Sequence, residues 1–261
     1  MARVSFLIGG VQKGGTTALA QFLGEHPQVA LPLAKEAHVF DDAGVDDARD
    51  PQEIDGDYAA HFAPGSGDRL HGDATPIYIL HPKLVRRIAA YNPAMKWILI
   101  LRHPLERALS QYHMERARGR ERLPFWLALL LEPWRLRGHE DDLSRDSPTS
   151  RHSYRLRGDY ARQLDVLYAH FPHDQVLVLF NDELDADPGA TLGRVHRFLG
   201  LAPFSSSAGG YPRVFEGDYA RFRRGGLRWW LHERLFSRAL RAQRLRYGID
   251  WENQPRSQRA Q

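Results

Sequence analysis

The 261-residue sequence predicts an α/β fold, a central parallel β-sheet flanked by helices, on three observations. Short apolar runs alternate with amphipathic segments of 10–15 residues, as βαβ units require. Lys96-Trp-Ile-Leu-Ile-Leu101 is almost continuously apolar, which suits a strand covered on both faces of a parallel sheet. The first apolar run passes through a glycine-rich turn into a segment of helical periodicity, the arrangement by which such sheets bind phosphate.

The elements follow in order. Residues 4–8 form a strand ending at Gly9-Gly10, and Leu19, Phe22 and Leu23 recur at helical spacing after Thr17. Val29-Ala30-Leu31 is a short strand. Residues 41–69, rich in Asp, Gly and Pro, read as a long acidic surface excursion. A helix is expected over 82–91, the best strand over 96–101, and a helix over 105–117 beyond Arg102-His103-Pro104. Helices at 123–132 and 154–170 flank a charged loop at 138–152; a buried strand at 176–180 and a helix at 189–199 complete the unit. The expected organisation is an α/β domain over 1–203 and a C-terminal loop with a basic amphipathic helix over 204–261, packed on the same domain.

Composition excludes several classes. There is no cysteine, so a disulfide scaffold, a zinc–cysteine module and a thiol enzyme are ruled out. With 43% hydrophobic and 26% charged residues the chain is an ordinary globular protein. No run approaches the ~18 apolar residues of a membrane span, and Val4–Ile8 is too short for a signal peptide, so the expected compartment is the cytosol. Only Lys13, Lys35, Lys83 and Lys96 are lysine among 36 basic residues, a weak pointer to places that want a slim point charge. Residues 221–261 hold eleven Arg against Glu233, Asp250 and Glu252, a net +8 that leaves residues 1–220 at −4. The basic character belongs to the tail, and nucleic acid is not an expected partner, since the rest is acidic and no reader motif is present.

The loop Gly9-Gly10-Val11-Gln12-Lys13-Gly14-Gly15-Thr16-Thr17 invites comparison with the nucleotide P-loop, G-x-x-x-x-G-K-[ST]. Neither glycine frame places a lysine after the second glycine, because the lysine is Lys13, inside the loop. No Asp closes 96–101 or 176–180 as a magnesium-holding residue would, which disfavours a nucleoside-triphosphate hydrolase or kinase.

Gln-Lys-Gly-Gly-Thr-Thr-Ala-Leu at 12–19, Lys-Glu-Ala-His-Val-Phe-Asp at 35–41, Leu-Arg-His-Pro-Leu-Glu-Arg-Ala-Leu-Ser-Gln-Tyr at 101–112 and Arg-Gly-Asp-Tyr-Ala-Arg-Gln-Leu at 157–164 together resemble the sulfotransferases that use 3′-phosphoadenosine-5′-phosphosulfate (PAPS). The likeness is closer to the branch of heparan sulfate N- and O-sulfotransferases and their bacterial relatives, and runs in order from about residue 5 to 200. It implies a P-loop-NTPase-like sulfotransferase fold, PAPS as donor with 3′-phosphoadenosine-5′-phosphate (PAP) as product, and no metal. It implies that Lys13, Gly14, Gly15, Thr16, Thr17 and Ala18 cradle the 5′-phosphosulfate. A lysine ammonium there can stabilise the charge that develops on the departing oxygen. The resemblance assigns the general base to Glu36. His38 stands two residues away, on the opposite face of an extended backbone, and is the other candidate. Lys35 can neutralise the sulfuryl group or pair with Glu36. Arg102 and Ser110 are implied to hold the 3′-phosphate, Arg157 and Tyr160 to contact the nucleotide, and Arg224 to stand loosely for a closing loop.

Two departures are visible. Ala74 stands where the glycan-sulfating relatives often carry a lysine, and the chain shows neither the membrane anchor nor the disulfide-closed loop of the Golgi members, so a soluble bacterial enzyme is expected. The expected acceptor is a small molecule or saccharide hydroxyl or amine; its cleft is expected at 42–75, 119–152 and 203–226. Leu227, Leu231, Leu235, Ala239 and Ala242 form an apolar stripe with Phe236 and Leu240, ringed by arginines. It suits packing on the domain, an anionic membrane surface or a partner contact through 227–246, and leaves oligomeric state open. The competing functions are a P-loop phosphotransferase and a non-catalytic, basic-tailed membrane or polyanion adaptor.

Overall fold

The structure is a computed structural model that describes residues 3–42, 49–144, 146–204 and 222–253. Parts of the expected acceptor cleft (43–48, 145 and 205–221) and the last residues of the tail (254–261) lie outside the described residues.

Five parallel strands, β1 (Phe6–Gly10), β2 (Val29–Ala30), β3 (Leu70–Asp73), β4 (Lys96–Leu101) and β5 (Val176–Phe180), form one sheet in the order β2-β3-β1-β4-β5. The continuous apolar run of β4 serves both faces. Trp97, Leu99 and Leu101 join one core cluster and Ile98 and Ile100 the other. The helices are α1 (Thr16–Gly24), α2 (Pro51–Ala59), α3 (Pro82–Tyr91), α4 (Pro104–Ala117), α5 (Phe125–Leu136), α6 (Pro148–His152), α7 (Tyr160–Tyr168), α8 (Asn181–Ala186), α9 (Pro188–Leu199), α10 (Leu227–Glu233) and α11 (Ser237–Tyr247).

Three expectations are corrected. The excursion at 41–69 contains α2, begun by Asp50, whose carboxylate accepts from Gln52 N at 2.7 Å, with Pro51 at the first helical position. It is followed by β3, whose Leu-His-Gly-Asp has almost no apolar signal although His71 and Asp73 are buried. The helix expected at 154–170 is a 3₁₀ turn, Leu156–Gly158, and then α7, capped by Asp159. The helix expected over 227–246 is broken by a 3₁₀ turn at Arg234–Phe236, which shifts the helical phase. Trp229, Phe236 and Gln243 point inward, while Leu227 and Leu231 are exposed. This segment packs on the main unit: Trp229 lies 4.6 Å from the His103 ring, and Gln243 Nε2 donates to Gly158 O at 2.7 Å.

All five strands are parallel, so their carboxyl ends share one edge, where open α/β sheets bind ligands. That edge receives the glycine loop from β1, Leu31–Asp41 from β2, Ala74–Thr75 from β3 and Arg102 from β4.

Candidate active site

The glycine loop is shaped by what lies under it. A Cβ on Gly14 would stand 2.2 Å from the Ile100 carbonyl oxygen of β4, a backbone atom that cannot step aside. Gly14 donates its N–H to Val11 O at 2.9 Å, so its contribution is close approach. Gly15, at φ 115°, caps α1 in a left-handed conformation with no side chain over the helix end. Leu19 is the first to bond back, to Gly15 O at 3.1 Å. Helix geometry leaves the N–H groups of Thr16, Thr17 and Ala18 without an intrahelical acceptor, a ready anion site.

Cations gather at the same place. The Lys13 ammonium is held below the usual lysine range, first by burial and then by the positive charges of Arg102, Arg118, Arg107 and Lys35. Such mutual repulsion is relieved by an anion, and a phosphosulfate with a second phosphate supplies one at each end. The bare helix start, the Gly14 approach and this cation cluster therefore fit the donor that the motifs imply.

The base segment differs from its expected form. Glu36 and His38 do not lie on opposite faces of an extended chain, because both are left-handed, at φ 66° and 56°. That backbone turns the two side chains toward each other: Glu36 Oε2 is 3.2 Å from His38 Nε2, and His38 Nδ1 is 2.7 Å from Asp41 Oδ2. Lys35 Nζ donates to Glu36 Oε1 at 2.9 Å, so Lys35 pairs with Glu36 while its charge is also felt at Lys13. Burial pushes the Glu36 carboxyl up, but hydrogen bonds from His38 and Lys35 outweigh it and hold it at about 2. Burial pushes His38 down, and Asp41 and Glu36 outweigh that, raising it to about 9.

The left-handed turns have an identifiable support. Fully buried Asp73, at the end of β3, accepts from Ala37 N at 3.4 Å, from Thr75 Oγ1 at 2.9 Å and from Tyr58 OH at 3.0 Å. Thr75 Oγ1 accepts in turn from His38 N at 3.4 Å. Two residues of β3 and its exit thus hold the backbone on either side of Ala37. Glu36, His38 and Asp41 line a cavity of about 100 Å³ together with Gln12, Arg118 and Arg157. Gln12 Oε1 and Asp41 Oδ1 are buried there without a hydrogen-bond partner among the described residues.

At the other end of the cleft, Arg102 Nε donates to Glu106 Oε2 at 3.3 Å, and Arg224 Nε donates to Glu106 Oε1 at 2.5 Å. Arg224 also reaches Asp182 Oδ2 at 3.0 Å, which brings the 222–226 segment onto the Arg102 corner. Ser110 is buried on α4, two turns beyond Arg102. Tyr160 is buried and donates to the Arg102 carbonyl at 2.7 Å, so it acts on the site through the backbone of Arg102. Arg157 is buried, donates from Nε to Ser153 Oγ at 2.7 Å, and is lowered to about 9, chiefly by burial.

Sequence reasoning missed Asp41, Asp73 and Thr75 as supports, although all three stand inside or beside the motifs. It also missed Arg118, one of 32 arginines with no local signal, and Asn181, whose Nδ2 is 2.8 Å from where a Gly15 Cβ would stand.

The glycine loop with its uncapped helix start and the Glu36 carboxylate share one sheet edge of a P-loop-like α/β fold. The model of the sulfotransferase domain matches residues 4–208, and the chain belongs to that family. Human heparan sulfate glucosamine 3-O-sulfotransferase 3B1 is 34% identical over 200 residues, covering 75% of this chain and 45% of the relative. Human bifunctional heparan sulfate N-deacetylase/N-sulfotransferase 2 is 30% identical over 208 residues, covering 76% of this chain and 22% of the relative. This chain thus spans less than half the length of these two relatives. The crystal structure of a sulfotransferase from Alicyclobacillus acidocaldarius superposes with a TM-score of 0.73 at 27% identity, covering 97% of this chain and 98% of that one.

Proposed function

We propose that this protein moves the sulfuryl group of PAPS to a hydroxyl or amine on a saccharide, glycolipid or other small natural product. The observation that carries the reading is the placement of ionised Glu36 on the edge where Lys13 and the open start of α1 await an anion. The donor supplies an activated sulfuryl group; the chain supplies the rest. Glu36 takes the acceptor proton, helped by His38 and Asp41, which fix its orientation. Lys13 and the amides of Thr16–Ala18 stabilise developing negative charge on the phosphate side. Arg102, Ser110 and Arg224 hold the 3′-phosphate end, where a planar guanidinium suits a dianion.

A phosphotransferase is not favoured, since Lys13 lies inside the loop and β4 ends in Leu101-Arg102. A purely adaptor role leaves the Lys35–Glu36–His38–Asp41 array without a use. The test is thermal unfolding with PAP against AMP. A ligand at about 100 times its Kd adds ~2.7 kcal/mol, so PAP should raise Tm clearly and AMP much less; equal shifts, or none, would sink the proposal.

We further propose that the protein works at the cytoplasmic face of an anionic membrane. Support comes from Trp126, Leu130, Leu131 and Trp134 of α5 and Leu227, Trp230 and Leu231 of α10, which hold seven of the nine exposed large apolar side chains among the described residues. Arg155 ties α5 to the 3₁₀ turn that follows α10, donating to Leu129 O at 3.5 Å and to Leu235 O at 3.1 Å. Arg228, Arg234, Arg238 and Arg241 supply charge complementary to lipid phosphates, and Arg234 stacks 4.6 Å over the Trp230 ring. No helix among the described residues is long and apolar enough to cross a membrane. Cosedimentation with phosphatidylglycerol vesicles, weakened by salt and by Trp230→Ala, is expected; equal binding to neutral phosphatidylcholine, or none to either, would refute it.

A further inference from the structure

A second cavity, of about 420 Å³, opens on the other side of Glu36. Its size is that of a small-molecule pocket. Thr17, Ala20 and Gln21 of α1 line it, Leu31, Leu33 and Ala74 add to its apolar surface, and Lys35 and Glu36 also border it. The cavity therefore runs from the anion-binding loop, through Thr17, to the carboxylate assigned as base. A hydroxyl seated beside Glu36 in this cavity borders both Thr17 of the helix start and the carboxylate.

Its charge is as informative as its position. Among the described residues the ionisable side chains on it are Glu25, Lys35 and Glu36, and the lysine is already paired with Glu36 at 2.9 Å. A polyanionic acceptor would meet two carboxylates and a lysine already engaged. Leu33, three quarters exposed at 75%, stands on the lip with no packing role in the core, as an apolar contact for a ligand would. The cavity across Glu36 is richer in cations, with Arg118, Arg120, Arg151 and Arg157 beside Asp41 and Glu115.

We propose that this cavity is an acceptor-specificity pocket, and that the acceptor is an uncharged hydroxyl compound carrying an alkyl or aryl group beside the reacting oxygen, such as an alkyl glycoside. This rests on the sulfotransferase reading. The apolar group lies against Ala20, Leu31, Leu33 and Ala74, which orients the hydroxyl toward Glu36. In the balanced step, the acceptor O–H bond gives its proton to Glu36 and the oxygen forms a new O–S bond. The S–O bond to the donor phosphate breaks, and its electron pair leaves on PAP.

The experiment uses the full chain with PAPS and measures PAP release and sulfated product. Octyl glucoside below its micelle concentration, glucose, and a sulfated uronate-containing oligosaccharide are compared. Expected is at least a tenfold higher kcat/KM for octyl glucoside than for glucose, and still less turnover of the sulfated oligosaccharide. Leu33→Ser, at an exposed site that folding tolerates, should cut the octyl-to-glucose ratio at least threefold. A ratio near one in the parent protein, a ratio untouched by Leu33→Ser, or preference for the sulfated oligosaccharide overturns the proposal. Those failures differ from failure of the sulfotransferase reading, in which PAP gives no thermal shift and no acceptor yields sulfated product.

Discussion

The loop Gly9–Thr17 and the segment Lys35–Asp41 meet at one edge of the sheet but are held there by opposite means. The loop is fixed by backbone: Gly14 presses on the Ile100 carbonyl, and α1 begins directly beyond Gly15. The base segment takes its shape from distant side chains, with Asp73 and Thr75 of the β3 exit holding Ala37 N and His38 N while residues 36 and 38 adopt left-handed turns. Backbone–backbone approach survives most side-chain changes. A turn held by two carboxylate and hydroxyl contacts does not. Damage at the acceptor side should therefore separate chemistry from nucleotide binding, whereas damage to the loop should cost both.

The largest effect expected from breaking the comparison is at Glu36, the proposed base. Glu36→Gln keeps the shape and one acceptor oxygen but cannot take the proton, so transfer should fall by roughly 10²–10⁴-fold while the PAP-induced rise in Tm is retained. Turnover within tenfold of the parent would move the proton transfer to His38. Loss of the PAP response along with activity would show that the two regions are not separable.

The second effect lies one layer out. Thr75 touches His38 N and Asp73 and has no contact with the reacting atoms, so it is a positioning residue. Thr75→Val removes one hydrogen bond to the turn and one to a buried carboxylate, a loss of ~1 kcal/mol or more that predicts about a tenfold drop in kcat. KM for PAPS should stay close to the parent value. Thr75→Ser restores the hydroxyl and should restore kcat; a valine variant that changes only Tm, or a serine variant as slow as valine, would make the contact merely structural.

Much of this was legible in the sequence, and the limit has a physical cause. The apolar runs of β1, β4 and β5 announce buried strands, and the glycine loop announces the turn into α1, because both are local signals. β3 was silent: Leu-His-Gly-Asp buries a histidine and an aspartate that stand on Tyr58, Thr75 and Ser66, partners fixed only once the chain has folded. The meeting of Glu36 with His38 was misread for the same reason. Extended backbone is the default for two residues after a strand, and the left-handed alternative is dictated from β3. The phase of 227–246 failed differently, since a single 3₁₀ turn at Arg234–Phe236 rotates the face that Leu227 and Leu231 present.

The smallest effect is a pH dependence that sharpens the division of labour. Glu36 is held down at about 2 by His38 and Lys35, and His38 is held up at about 9 by Asp41 and Glu36. The depressed carboxylate contributes stability that is present above its ordinary 4.5 and lost as pH falls through about 2. The raised imidazolium contributes stability that is full below its ordinary 6.5 and lost as pH rises through about 9. Between those limits Glu36 stays ionised and His38 stays protonated, so kcat/KM for the free enzyme should show no limb from Glu36 near its ordinary 4.5 and should change near pH 9. In His38→Gln the glutamine can still donate to Glu36 but cannot titrate. The change near 9 should vanish, with only a severalfold loss of rate at neutral pH. A variant that keeps the same alkaline limb would assign it to another group, such as the Lys13 ammonium, which burial and neighbouring cations hold below the usual lysine range. That result would place pH control on the donor side of the cleft and leave His38 with orientation alone.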